Sequence, residues 1–257
     1  MARSSAPRHA IDISEEDGVR YLHFGSDWIQ GAMRIARPWS LELDYTREMM
    51  AGLLFEPDPQ WPKDILLIGL GAGSLAKFIY RNLPASRITV VEINPQVEFA
   101  ARQFFKLPDD PQRLQVEIAC GADFMLGGRK QYDMILVDGF DPKARMGALD
   151  TEPFFLASRA RLRDSGLFGI NLLGRKKGFR NAVERLRAAF DGRLAVFPSC
   201  DSGNTIAFAS GGAPRSVSLD ELRARAEGVR KTMRLDLRPT ISRLQLAHPL
   251  PDGRLTL

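Results

Sequence analysis

Short apolar segments that alternate with amphipathic helical stretches dominate the chain from residue 63 onward. The apolar segments are 64–70, 87–93, 113–119, 132–138, 166–173, 193–199 and 204–210. Strands separated by helices indicate a parallel sheet that is covered on both faces. The last two segments leave no room for a crossover helix between them, so we expect them to form an antiparallel hairpin. Seven strands with this ending predict an α/β, Rossmann-like fold of the S-adenosylmethionine-dependent methyltransferase type, with strand order 3-2-1-4-5-7-6.

Three other regions surround this predicted nucleoside-binding domain, which we place at 63–212. Residues 1–17 are polar and are expected to form a flexible N-terminus. Residues 18–62 alternate apolar and polar side chains and then take on helical spacing, which predicts a small β-hairpin unit followed by a helix. Residues 213–257 predict a helical extension.

Composition narrows the function classes. The 257 residues include 36 Lys and Arg against 31 Asp and Glu, a mild basic excess that solvated helix faces explain without nucleic acid. Two cysteines and three histidines at unrelated positions give no metal-ligand spacing, so we expect no metal site. No apolar run approaches the roughly 18–20 residues of a membrane span, and the first residues lack a signal-peptide pattern. We therefore expect a cytoplasmic protein.

A glycine-rich turn and an acidic residue predict an adenosine site. Gly69, Gly71 and Gly73 lie where the first strand of the predicted sheet passes into a helix, a position that allows a sharp turn and close approach of the backbone to a ligand. Glu92 ends the second strand, where a carboxylate can accept hydrogen bonds from both ribose hydroxyls. Its alternative role is to cap the following helix. Taken alone, the glycine turn and the acidic residue would also fit NAD. The closing hairpin favours a sulfonium nucleoside instead.

Two carboxylates follow the fourth strand of the domain. Asp138 and Asp141 occur in the stretch DGFDP, at the sheet edge that faces the reactive end of a nucleoside. A primary amine with a pKa near 10.4 is protonated at neutral pH, and removing its proton costs roughly 4–5 kcal/mol. A carboxylate pair can bind the ammonium group, and one member can accept its proton. The alternative is that both residues only stabilise the turn before the proline.

The chain from about Gly25 to Ser210 resembles the spermidine synthase, or polyamine aminopropyltransferase, family, and five stretches carry the resemblance. They are FGSDWIQGAM (24–33), REMMAGLLF (47–55), LLIGLGAG (66–73), VVEIN (90–94) and YDMILVDGFDP (132–142). The resemblance implies a small N-terminal β unit on a Rossmann-like domain, decarboxylated S-adenosylmethionine as cosubstrate, a small-molecule amine as acceptor and a homodimer.

The resemblance also implies roles for individual residues. Asp138 would accept the amine proton, and Gln30 would contact the nucleoside. The residues expected at the amine are Asp141, Glu48, Tyr45 and Asp201. The residues expected at the adenine are Cys120 and Asp123.

The sequence departs from the family pattern mainly around the acceptor. Ala72 replaces an aspartate that meets the aminopropyl ammonium and repels the carboxylate of intact S-adenosylmethionine. Arg47 stands in the helix motif where the family has His or Gln, and Cys200 stands in place of an aromatic residue. These changes leave open an S-adenosylmethionine-dependent methyltransferase, or a nucleoside-binding homologue that has lost catalysis.

Overall fold

A computed structural model describes residues 10–25, 28–174, 177–200, 203–247 and 250–257 of the chain. Its first part is a three-stranded antiparallel sheet of β1 (Asp12–Glu16), β2 (Val19–His23) and β3 (Ile29–Arg34). The helix α1 (Asp44–Met49) follows and continues into a 3-10 segment, Met50–Leu54. The β unit begins earlier than the sequence predicted, because β1 lies within the stretch that was expected to be flexible.

The central sheet has seven strands. In chain order these are β4 (Asp64–Ile68), β5 (Arg87–Glu92), β6 (Leu114–Ile118), β7 (Tyr132–Val137), β8 (Leu162–Leu173), β9 (Leu194–Val196) and β10 (Asn204–Ser210). Their spatial order is β6-β5-β4-β7-β8-β10-β9. The first five pair in parallel, and β10 is antiparallel to both of its neighbours. This confirms the predicted fold class and the order 3-2-1-4-5-7-6.

Helices cover both faces of the central sheet. They are α2 (Ser74–Asn82), α3 (Pro95–Phe104), α4 (Gly121–Gly127), α5 (Glu152–Ala160), α6 (Phe179–Ala189), α7 (Leu219–Met233) and α8 (Arg238–Ala247). Side chains of β4 alternate between two apolar clusters because successive residues of a strand point to opposite faces. Ile65 and Leu67 pack with α2, α3 and α7, whereas Leu66 and Ile68 pack with α4, α5 and α6.

The C-terminal region combines its helices with a short sheet. Ser218 accepts the backbone N–H of Glu221, whose carboxylate accepts the backbone N–H of Ser218, so a capping box begins α7. The strand β11 (Ser216–Ser218) pairs with β12 (Arg254–Thr256). Two 3-10 turns complete the set of elements: Gly147–Asp150 lies before α5, and Pro251–Gly253 lies before β12. Across the described ranges, no helix is both long and apolar enough to cross a membrane.

Candidate active site

A cavity of about 730 Å³ opens at the carboxyl ends of β4, β5 and β7, where β3 and α1 close over the sheet. This is the edge at which open α/β sheets bind their ligands. Of the residues predicted to act, those that line the cavity are Gln30, Tyr45, Gly69, Gly71, Glu92, Cys120, Asp138 and Asp141. Ala72 lines it as well. One cavity therefore joins the predicted nucleoside residues to the predicted amine residues.

Two glycines allow the backbone around the cavity to come together. Gly69 has φ +97°, and a Cβ atom there would lie 2.1 Å from the carbonyl oxygen of Asp138. Gly71 has φ +51°, and its Cβ atom would lie 3.0 Å from the carbonyl oxygen of Gln30. Side chains at these positions would force β4 apart from the segments that carry Asp138 and Gln30. Gly73, with φ +68°, is instead the N-cap of α2 and lies outside the cavity lining.

Glu92 is buried at the end of β5 and held by backbone amides. Its Oε2 atom accepts the N–H of Leu70 at 3.0 Å, and its Oε1 atom accepts the N–H of Asn94 at 2.9 Å. Burial raises the pKa of Glu92, while these backbone hydrogen bonds act in the opposite direction. The side chain of Asn94, not that of Glu92, caps α3. Each carboxylate oxygen keeps capacity to accept a further hydrogen bond, as a ribose hydroxyl requires.

The two residues expected at the adenine have different positions. Cys120 precedes α4 and lines the cavity. Asp123 is exposed in the first turn of α4 and is absent from the cavity lining. A carboxylate in the first turn is favourable at a helix N-terminus, which accounts for Asp123 without a ligand.

Asp138 lines the cavity together with Tyr45, Asp141 and Asn171, and we call this part of the cavity the acceptor half and the part around Gly69, Gly71 and Glu92 the nucleoside half. Its Oδ2 atom accepts the hydroxyl of Tyr45 at 3.1 Å, and its Oδ1 atom accepts the Nδ2 amide of Asn171 at 2.9 Å. Burial raises the pKa of Asp138, and the two hydrogen bonds partly oppose this effect. Burial and the charge of Asp138 also raise the pKa of Tyr45 well above 10, so this hydroxyl remains a donor.

Asn171 was missed at the level of sequence. It lies at the end of β8, next to β7, because Val137 pairs with Ile170 in the sheet. Its side chain is 2% exposed, it lines the cavity, and its Oδ1 atom has no hydrogen-bond partner among the described residues. An amide within the otherwise apolar segment GLFGINLL was the available signal.

Asp141 lines the cavity, but its carboxylate is already fully bound. Oδ1 accepts the backbone N–H groups of Lys143 and Arg145, both at 2.9 Å, and Oδ2 forms an ion pair with the Arg145 guanidinium at 2.7 Å. Burial acts to raise the pKa of Asp141, yet the hydrogen bonds from Arg145 and Lys143 outweigh it and the pKa is lowered. Arg145 is a second residue that the sequence did not predict.

One residue expected at the amine, Glu48, and one residue that departs from the family pattern, Arg47, are not part of the cavity lining. Glu48 is buried and forms an ion pair with Arg243 of α8, so its contact with substrate stays a prediction. Arg47 points away and donates to the carbonyl groups of Leu41 and Glu42. Asp201 lies outside the described residues. Within those residues no group of three or more His, Cys, Asp or Glu side chains could hold a metal ion.

The strand order defines the class of the protein as the Rossmann-like fold of S-adenosylmethionine-dependent methyltransferases, here with an added N-terminal β unit. The family model described as Spermine/spermidine synthase domain matches residues 43–177. A polyamine aminopropyltransferase of Neisseria meningitidis is 38% identical over 248 residues, which cover 96% of this chain and 93% of the relative. The chain belongs to the spermine/spermidine synthase family, a family of transferases.

The chain is similar to solved structures of two kinds, a methyltransferase-like protein and a spermidine synthase. Human methyltransferase-like protein 13 in complex with SAH has a TM-score of 0.67 and 30% identity, covering 75% of this chain and 93% of that one. A spermidine synthase in complex with the transition state analogue AdoDATO has a TM-score of 0.66 and 23% identity, covering 94% and 86%. The second similarity concerns the fold alone. Both neighbours carry a nucleoside ligand related to S-adenosylmethionine.

Proposed function

We propose that this protein transfers an aminopropyl group from decarboxylated S-adenosylmethionine to an amine. The observation that carries the proposal is the position of Asp138, which lies in the same cavity as Glu92 and is held by Tyr45 and Asn171. Membership of the spermine/spermidine synthase family and 38% identity to a polyamine aminopropyltransferase support it.

The nucleoside half of the cavity would orient the donor. Glu92 accepts hydrogen bonds from the ribose hydroxyls, and the turn at Gly69 and Gly71 lets the backbone approach the nucleoside closely. Gln30, on β3, lines the same cavity and would contact the nucleoside there. These groups hold the sulfonium toward the acceptor half, which favours an in-line displacement.

Asp138 would then act as the general base. The amine nitrogen forms a bond to the aminopropyl carbon next to the sulfonium, the carbon–sulfur bond breaks, and methylthioadenosine leaves with that electron pair. The amine proton passes to Asp138. Burial raises the pKa of Asp138 toward that of the amine, which makes it a better proton acceptor than an exposed carboxylate. Tyr45 and Asn171 fix its orientation.

A second candidate is methyl transfer from intact S-adenosylmethionine. Ala72 favours it, because this apolar side chain lines the cavity and does not repel the carboxylate that distinguishes the two nucleosides. The 30% identity to human methyltransferase-like protein 13 adds support. The base at Asp138 serves either reaction.

The test presents each nucleoside separately with a panel of amines and identifies the products by mass spectrometry. Aminopropyl transfer releases methylthioadenosine and adds an aminopropyl group to the amine. Methyl transfer releases S-adenosylhomocysteine and adds a methyl group. If neither product exceeds the level of an Asp138→Asn control, both transfer reactions are ruled out for the amines in the panel.

The finer predictions on setting belong to the same proposal. We propose a homodimer in the cytoplasm, acting on a small-molecule amine. The dimer rests on the family resemblance, and a chain with only two cysteines suits a reducing compartment. Light scattering of the purified protein tests the dimer directly.

A further inference from the structure

Three arginines of the C-terminal region, residues 213–257, bind the segment that carries Tyr45. This segment comprises α1 and the residues that follow it, up to position 56. The three contacts are an ion pair of Arg243 with Glu48, a hydrogen bond from Arg225 Nη1 to the carbonyl oxygen of Leu54 at 2.8 Å, and an ion pair of Arg215 with Glu56 at 3.6 Å. The C-terminal region is thus attached to this segment at three successive points.

The helix α1 depends on tertiary contacts for its position. It has six residues, and its N-cap, Leu43, provides no side-chain cap. A helix this short is not stable by itself, because few of its backbone groups are hydrogen-bonded within it. The strands β8 and β10 contact α1, and α7 contacts the 3-10 segment that continues it. The position of Tyr45 is therefore set by what surrounds α1.

Glu48 and Tyr45 lie three residues apart on α1, so they are neighbours on the surface of this helix. Glu48 is 1% exposed. Apart from the Arg243 guanidinium, its carboxylate oxygens have no partner among the described residues. A carboxylate buried to this degree is costly unless it is paired, so Arg243 determines where Glu48 can lie.

The hydrogen bond from Tyr45 to Asp138 is sensitive to the position of α1. The hydroxyl lies 3.1 Å from Asp138 Oδ2, at the long end of the range for such bonds. A shift of α1 by about half an ångström away from Asp138 would end the bond. Arg243 is not among the described residues that line the cavity, so any effect on the general base must pass through α1.

We propose that Arg243 is a positioning residue for the reaction. Its ion pair with Glu48 holds α1 in place, so that the hydroxyl of Tyr45 reaches the general base. The two other arginine contacts secure the same segment further along the chain. The C-terminal region thereby orders the acceptor half from outside the cavity. The use of this order in catalysis rests on the proposed function, whereas the hydrogen bond itself does not.

Carbon-13 NMR of the Asp138 carboxyl group tests the inference without turnover. Asp138→Asn identifies the signal, and its titration gives the pKa. Burial raises this pKa and the hydrogen bond from Tyr45 opposes the rise, so Tyr45→Phe should raise it further. Glu48→Gln combined with Arg243→Met removes the ion pair at constant net charge and should raise the pKa as much as Tyr45→Phe does. Adding Tyr45→Phe to this pair of changes should then have no further effect, because both act on one bond.

The matched control is Asp236→Asn combined with Arg238→Met, which removes an ion pair of more exposed residues next to and within α8. It should leave the pKa of Asp138 in place. A milder pair of variants gives a second comparison. Arg225→Met removes the bond to Leu54 and should raise the pKa by a smaller amount, whereas Arg223→Met, at an exposed position of α7, should not. Urea unfolding establishes that each variant is folded under the conditions of the titration.

A pKa of Asp138 that stays fixed in Tyr45→Phe or in the variant without the Glu48–Arg243 pair overturns the proposal. So does a rise that adds to that of Tyr45→Phe when the changes are combined, since a direct electrostatic effect would be additive. If the variant without the pair does not fold, Arg225→Met against Arg223→Met decides by the same criterion. Methylthioadenosine release measured in parallel keeps the two ideas apart. The expected shifts in a protein that transfers no group remove the proposed function only, whereas transfer with unchanged pKa values removes this inference only.

Discussion

The two halves of the main cavity are built in different ways. The nucleoside half depends on backbone geometry, since Gly69 and Gly71 have left-handed φ angles and amide groups hold the carboxylate of Glu92. The acceptor half depends on side chains from distant segments. Tyr45 is 93 residues from Asp138 in sequence, and Asn171 is 33 residues from it, yet all three meet in one hydrogen-bonded group.

Because of this difference, we expect the nucleoside half to tolerate substitutions less well than the acceptor half. A side chain at Gly69 would collide with the backbone of Asp138, so a change there disturbs the sheet itself. A change at Arg145, whose side chain is largely exposed, alters the charge of the cavity and leaves the strands in place. A family can therefore keep its nucleoside and its chemistry while it changes the acceptor.

The largest expected effect comes from Asp138→Asn. An amide cannot accept the amine proton, so kcat/KM should fall about 10²–10⁴-fold. Binding of methylthioadenosine, measured by calorimetry, should stay within a few fold, since the nucleoside half is untouched. Asp109→Asn, at an exposed position away from the cavity, is the control. A large loss of nucleoside affinity in Asp138→Asn would show that the two halves are not separable.

Glu92→Ala should produce the complementary pattern. Loss of two charge-assisted hydrogen bonds to ribose is expected to weaken nucleoside binding about 10²-fold. At saturating nucleoside, kcat should recover most of its value because Asp138 is intact. Urea unfolding of the variant checks that the released amides of Leu70 and Asn94 have not disturbed the fold. A kcat that stays low at saturation contradicts the assignment of Glu92 to binding.

The ion pair between Glu48 and Arg243 tests whether Glu48 has a structural role. Arg243→Met leaves the buried carboxylate unpaired and should lower the free energy of unfolding by about 3–5 kcal/mol. Adding Glu48→Gln should restore part of that loss. Arg238→Met, also on α8 but paired with Asp236 at the surface, should change stability little. A Glu48→Gln variant that stays stable but has a raised KM for the amine would return Glu48 to the acceptor site.

The contrast between Glu48 and Glu92 shows how far the sequence predicts the site. The strand order and the positions of Gly69, Gly71 and Glu92 followed from local patterns, because a strand end and its turn place these residues at the sheet edge whatever their neighbours are. Asp138 followed for the same reason. Glu48 did not, since its environment depends on Arg243, 195 residues further along, and no local pattern shows which residue of a C-terminal helix will lie opposite.

Asn171 and Arg145 illustrate the same limit. Asn171 becomes relevant only because β8 lies beside β7 in a register that brings it to Asp138. Arg145 becomes relevant because the loop after β7 folds back on Asp141. Both facts are tertiary. Side chains that reach the acceptor half through a neighbouring strand or a folded-back loop are thus harder to predict than residues that end a strand.

The variant Ala72→Asp tests whether the side chain at position 72 sets the preference between the two nucleosides. A carboxylate at this cavity position repels the carboxylate of intact S-adenosylmethionine and attracts the ammonium of the decarboxylated form. We expect the ratio of the two nucleoside affinities to shift about tenfold toward the decarboxylated form, as calorimetry would measure. Ala72→Asn matches the variant in size without the charge. If both variants shift the ratio equally, the cause is shape and not charge.

The smallest expected effect comes from removing one of the two groups that donate hydrogen bonds to Asp138, the hydroxyl of Tyr45 or the amide of Asn171. Tyr45 and Asn171 both lower the pKa of Asp138 by hydrogen bonding to its ionised form, against burial, which raises it. Removing either donor, in Tyr45→Phe or Asn171→Leu, should raise the pKa of Asp138 further. Since Asp138 must be ionised to accept a proton, the acidic limb of the kcat/KM profile should move to higher pH. The loss of kcat/KM should be smallest at pH values well above that limb. Tyr80→Phe removes a hydroxyl that donates to Asp110, away from the cavity, and should leave the profile in place. A limb that stays fixed in both active-site variants would mean that the titrating group is not Asp138.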